Sequence, residues 1–62
     1  MNKENIQIIG NKIINAEREI ALGKNVQSNE AKIEMYMNNL SPLDLLQVTL
    51  YVENYIDNQE IF

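Results

Sequence analysis

The 62-residue sequence contains no cysteine and no histidine. It therefore has no disulfide or thiol nucleophile, no Cys/His zinc ligation and no imidazole acid–base chemistry. A Ser–His–Asp triad cannot be assembled. Gly10 and Gly23 are isolated, so there is no glycine-rich phosphate loop. Glu30 and Glu34 can share a helix face, but they lack a third metal ligand. We therefore predict a non-enzymatic protein without cofactor or metal.

The sequence also lacks a long apolar run. No stretch approaches the ~20 residues that a transmembrane helix needs, and the opening residues MNKENIQ contain no apolar signal-peptide core. We therefore expect an intracellular protein in solution, without a membrane partner. A domain of this size buries only ~60% of the surface that its unfolded chain exposes. With disulfides and zinc excluded, its stability must come from a well-packed core or from a partner chain.

Basic residues are few and unevenly placed. The chain has five Lys and Arg against nine Asp and Glu, a formal net charge of −4, and no basic residue follows Lys32. Nucleic-acid binding requires clustered Lys and Arg, and a helix–turn–helix over residues 29–57 would have a recognition helix without any. Direct nucleic-acid binding is therefore not expected. The acidic second half predicts either a solvated surface or a contact with a basic partner, such as the lysine-bearing half of another copy.

The first third of the chain has the apolar spacing of an amphipathic helix over about residues 3–22. Its main apolar seam follows alternating steps of three and four residues, through Ile6, Ile9, Ile13, Ala16 and Ile20. Asn2 is the expected N-cap, and Gly23 favours a helix end. Gly10 is either a tolerated exposed position or a site where another helix backbone comes close. A second apolar strip consists of Ile8, Ile14 and Leu22, and it needs another cover or stays exposed.

Two further helices are predicted, over about residues 28–39 and 42–57, which makes residues 1–62 one helical domain. Ser28 or Asn25 could cap the second helix. The third has the clearest start signal in the chain: Ser41 is the expected N-cap, and Pro42 occupies the first helical position. Asp44 then completes a variant of the capping box, with Asp in place of Glu or Gln.

The third helix is apolar on nearly all sides, which is typical of a helix that is buried on more than one face. Leu45, Val48, Val52 and Ile56 share one face, and a group of leucines lies on another. Two short helices cannot cover both faces. We therefore predict an all-α, three-helix domain, a helical hairpin plus this strongly apolar helix, that forms a homo-oligomer or binds a protein partner. The expected interface residues are Leu43, Leu46, Leu50, Tyr51 and Phe62, followed by Ile14 and Leu22.

The segment KIEMYMNNLSPLDLLQVTLYVENYI, from Lys32 to Ile56, resembles small all-helical proteins of tailed phages, most of all crAss-like phages, and of low-GC bacteria. Their pattern is K-I-E, then L-S-x-x-D/E, then an apolar helix that ends in Y-I/V. The resemblance implies a phage accessory, host-interaction or virion-associated protein, located in the bacterial cytoplasm or on the virion. It implies no catalytic residues.

These observations predict a non-enzymatic interaction or assembly module that acts through apolar helix packing. The alternative is a small acidic inhibitor or regulator that binds a basic site on a host protein. The two hypotheses differ in their response to salt. Hydrophobic assembly should persist at high ionic strength, whereas binding through acidic residues should weaken as salt screens the charges.

Overall fold

The computed structural model is all-α, with three helices in the order α1 (Lys3–Ala21), α2 (Val26–Asn38) and α3 (Pro42–Gln59). It describes the backbone of residues 1–59 and the side chains of residues 1–56. The all-α, three-helix class predicted from the sequence is confirmed. None of the helices described is both long and apolar enough to cross a membrane.

Local signals at both ends fix the limits of α1. The side-chain oxygen of Asn2 accepts a hydrogen bond from the Asn5 N–H at 2.8 Å, as an N-cap does. At the other end Gly23 has φ +75°. Its N–H bonds to the Ile20 carbonyl at 2.9 Å, and the Lys24 N–H reaches the Glu19 carbonyl at 2.9 Å. This is a Schellman motif, which satisfies carbonyls that the helix end leaves unpaired.

The second helix begins at Val26, two residues before the predicted start. Its N-cap is Asn25, which has φ 47° and ψ 43° and makes no side-chain capping hydrogen bond. Asn is one of the few residues other than Gly that adopt this left-handed conformation readily. Ser28 therefore lies inside α2 and does not cap it.

The start of α3 contains half of the predicted capping box. The Asp44 N–H donates to Ser41 Oγ at 3.2 Å, so Ser41 is the N-cap. The Asp44 carboxylate does not return to the Ser41 backbone N–H as a capping box requires. Its Oδ1 lies 3.0 Å from the Met1 ammonium group instead. This ion pair joins the first turn of α3 to the segment before α1.

Both other helices pack against α1, whereas α2 and α3 scarcely meet each other. Successive residues of α3 contact successive residues of the α1 segment. These two helices therefore run in roughly the same direction. The contacts are Met1–Asp44 at 3.0 Å, Asn11–Tyr51 at 2.8 Å and Arg18–Tyr55 at 3.1 Å. The molecule is flat, with principal extents of 31 × 29 × 16 Å.

The fully buried apolar cluster lies between α1 and α3. It consists of Ile13, Ile14, Val48 and Val52, with half-buried residues of all three helices around it. Ile14 therefore departs from the sequence-based expectation that it needs a cover from outside the chain. Its side chain is only 6% exposed, because α3 packs on that side of α1. It is not available to a partner.

Gly10 has a defined role in the same contact. It is buried, and a Cβ added at this position would lie 2.7 Å from Tyr51 Cε1 and closer still to Cδ1. Of the two hypotheses for Gly10, the structure favours close approach, but the approaching group is an aromatic ring and not a helix backbone. The absence of a side chain at Gly10 leaves room for the Tyr51 ring against α1.

Candidate protein-interaction face

Three leucines form an exposed stripe on α3, which we call the leucine face: Leu43, Leu46 and Leu50. Their spacing of three and four residues places them on one side of the helix. Their exposed fractions are 66%, 54% and 50%, respectively. A contiguous apolar stripe at helical spacing is the usual form of a helix that docks against another protein.

The position of the leucine face follows from how α3 packs. Val48 is 0% exposed and Val52 is 6% exposed, so they define the side of α3 that α1 covers. At 100° per residue, Leu46 and Leu50 point away from this side by roughly 160°. Helix α3 thus has two apolar faces, and the described residues cover only one of them.

Polar residues flank the leucine face. Glu53 follows Leu50 by three residues and continues the same side of the helix, and Asn54 lies beside it; both are exposed. Gln47 is half-buried, and its Oε1 atom is buried without a hydrogen-bond partner among the described residues. Because this atom is already shielded, a partner cannot reach it without movement of the side chain. Among the side chains described, the charged group beside the face is the carboxylate of Glu53.

The other predicted interface residues do not join the leucine face. Tyr51 is half-buried: its ring packs against Gly10, and its hydroxyl donates to Asn11 Oδ1 at 2.8 Å. Leu22 is 66% exposed, but it is the C-cap residue of α1 and therefore does not lie on α3. Phe62 lies outside the described residues. Among the predicted interface residues with described side chains, the exposed ones are therefore the three leucines of α3 and, on a separate surface, Leu22.

A separate feature of the surface is a cleft of about 420 Å³ between α1 and α2. Asn29, only 2% exposed, closes its end. The Asn29 Nδ2 group donates to Glu19 Oε2 at 2.8 Å and to the Lys24 carbonyl at 3.1 Å. These bonds tie α2 to α1 and to the loop between them. The remaining lining residues are Lys12, Asn15, Ala16, Lys32 and Tyr36.

The polar side chains of this cleft contact one another across α1 and α2. The Lys12 ammonium lies 5.9 Å from the centre of the Tyr36 ring, within range of a weak cation–π contact. The carboxylate of Glu19 stands among the lysines and already accepts a hydrogen bond from Asn29. The part of the chain that the structure describes contains no group of three side chains that could hold a metal ion.

The pKa of Asp44 is shifted from its ordinary value, and this shift bears on stability. The Met1 ammonium is the main cause that lowers the pKa of Asp44 below its ordinary value of 3.8, and hydrogen bonding with Ser41 adds to it. The Asp44 side chain is 22% exposed, so salt partly screens this contact. Asp44 therefore contributes to the attachment of α3.

The described residues thus form a small three-helix protein with an exposed apolar stripe on α3. No protein-family model, no curated protein and no solved structure matches the chain. The sequence pattern did find the leucine face, through its three- and four-residue spacing. It did not identify Asn29 as a buried residue, because a single Asn near a turn carries no such signal.

Proposed function

We propose that this protein is a protein–protein interaction module that binds its partner through the leucine face of α3. The observation that carries the proposal is the half to two-thirds exposure of Leu43, Leu46 and Leu50 at helical spacing. The resemblance of Lys32–Ile56 to small phage proteins supports an accessory or virion-associated role for such a module.

The driving force would be removal of the three leucines from water. Full burial of one leucine side chain contributes ~1.5–3 kcal/mol, and these side chains are already partly covered. Together they would contribute a few kcal/mol, which is less than the roughly 8 kcal/mol of a micromolar complex. A stable complex therefore needs contacts on the flanks of the leucine face as well.

Two matched variants test the proposal: Leu46→Glu and Met35→Glu. Both side chains are 54% exposed, but Met35 lies on α2 and outside the leucine face. Surface substitutions usually change the free energy of unfolding by less than ~0.5 kcal/mol, so both variants should fold. Circular dichroism would check this.

The probe is a displayed library of two-helix hairpins, each with an apolar groove of varied shape. Hairpins are selected on the wild-type protein and then assayed on each variant. We expect most selected hairpins to lose at least tenfold in affinity on Leu46→Glu and to keep their affinity on Met35→Glu. Binders that tolerate Leu46→Glu as well as Met35→Glu would contradict the proposal.

A further inference from the structure

The size of the leucine face limits the shape of its partner. A standard interface takes ~800 Å² and ~20–30 residues from each protein, whereas the whole surface of this chain is 4639 Å². From Leu43 to Leu50 the face extends over only ~11 Å of helix. A partner that presents a flat or convex surface, such as the same face of a second copy, would bury too little. A concave partner can enclose α3 and contact both sides of the stripe.

Charge limits the chemistry of the partner. Residues 42–59 contain three acidic residues and no basic one, and all five basic residues precede Ile33. Asp44 is already paired with the Met1 ammonium group. Among the residues with described side chains, Glu53, which is exposed and one turn beyond Leu50, is therefore the acidic group beside the leucine face that a partner would meet.

A second copy does not supply this charge from its own α3. In a parallel pair of α3 helices, Glu53 would lie beside the Glu53 of the other copy, and like charges repel. In an antiparallel pair centred on Leu46, Glu53 would extend past the leucines toward the start of the other α3. That helix has no Lys or Arg, and the Met1 ammonium group beside its first turn is already paired with Asp44.

We infer that the partner is a different protein with an apolar groove whose rim carries Lys or Arg. The groove takes the leucine face, and a basic side chain on the rim pairs with Glu53. This inference rests on the proposed function and adds to it the shape and charge of the partner. Complementary charge at the edge of an apolar contact mainly selects the partner and speeds association.

The hairpin library tests the inference if its rim positions are drawn equally from Lys, Glu and Gln. We expect Lys to be enriched at the rim of selected hairpins. For matched hairpins, the Lys-rim form should bind at least threefold more tightly than the Gln-rim form at low salt. This ratio should approach one at 1 M salt and in the Glu53→Gln variant, since both weaken the charge contact.

The possible outcomes separate the two proposals. Equal enrichment of the three rim residues, or enrichment of Glu, would overturn the inference and leave the proposed function intact. If no hairpin of any rim composition discriminates Leu46→Glu from Met35→Glu, the proposed function fails as well. Light scattering of the protein alone provides the last outcome. A stable dimer that Leu46→Glu converts to monomer would overturn the inference, because the partner would then be a second copy of this chain.

Discussion

At the scale of single residues, Gly10 determines how closely α3 approaches α1. Alanine at this position would gain ~1 kcal/mol in helix propensity. Its Cβ would, however, overlap the Tyr51 ring, whose hydroxyl is held by Asn11. Overpacking of this kind typically costs ~1–3 kcal/mol. We therefore expect Gly10→Ala to lower the free energy of unfolding by about 1 kcal/mol in urea denaturation.

Tyr51→Ala provides the control for Gly10→Ala, because it removes the ring that the new Cβ would meet. In that background Gly10→Ala should raise the free energy of unfolding by ~1 kcal/mol, through helix propensity alone. TMAO in both measurements would keep the weaker variants folded. Stabilisation by Gly10→Ala in both backgrounds would show that Tyr51 does not constrain this position.

Asn29 is the residue that fastens α2 to α1. Its buried carboxamide bridges Glu19 and the Lys24 carbonyl. Asn29→Ala should lower the free energy of unfolding by ~1–3 kcal/mol, because it removes two partly buried hydrogen bonds that contribute ~0.5–1.5 kcal/mol each. Glu19→Gln keeps an acceptor oxygen and should have a much smaller effect in the same thermal or urea unfolding assay. Equal losses for both variants would mean that the charge of Glu19, and not the donor of Asn29, matters.

At the scale of elements, the attachment of α3 at Asp44 should depend on pH. The folded-state pKa of Asp44 lies below its ordinary value of 3.8. The ion pair with Met1 therefore stabilises the fold above the unfolded pKa, and this stabilisation is lost as the pH falls through the folded pKa. The stability difference between wild type and Asp44→Asn should be constant from pH 7 to about 5 and should shrink below 3.8.

Denaturant unfolding at a series of pH values measures this difference. In 1 M salt, where the screening length is only ~3 Å, the difference at pH 7 should be smaller. A difference that neither salt nor acid reduces would assign the effect of Asp44→Asn to helix capping and not to the ion pair.

Helix limits were predictable from the sequence where a single residue acts on the end of its own helix, through its side chain or through its backbone conformation. Asn2, Gly23 and Ser41 carry such local signals, and α1 and α3 begin and end close to the predicted residues. Asn25 caps α2 through its backbone conformation and without a side-chain hydrogen bond, so the sequence pattern favoured a later start.

Which apolar side of a helix is covered was not predictable in the same way. Ile8 and Ile14 both lie off the main seam of α1, yet α3 buries Ile14 and leaves Ile8 47% exposed. The choice depends on where α3 docks, and the docking depends on contacts that are distant in sequence, such as Tyr51 with Gly10. Periodicity therefore identified the leucine face as surplus, but it could not assign Tyr51 to the inside of the fold.

At the scale of the whole molecule, the three helices do not share the core equally. The fully buried apolar residues of the main cluster come from α1 and α3, whereas α2 contributes half-buried ones. The described residue of α2 that is fully buried is the polar Asn29. Helix α2 is thus held mainly by α1, through the hydrogen bonds of Asn29 and through apolar side chains that remain half-exposed.

This asymmetry predicts that α2 opens before the rest of the molecule. Elements with few buried apolar contacts open at a lower free energy than the global unfolding. In native-state hydrogen exchange, the amides of α2 should exchange faster than the slowest amides of α1 and α3.

Val52→Ala, which removes two buried methyl groups from α3, should lower the protection of α1 and α3 by ~2 kcal/mol. It should change the local opening of α2 less, because the close backbone contacts of α2 are with α1. Equal protection in all three helices, lowered equally by Val52→Ala, would instead mean that the flat core unfolds as one cooperative unit.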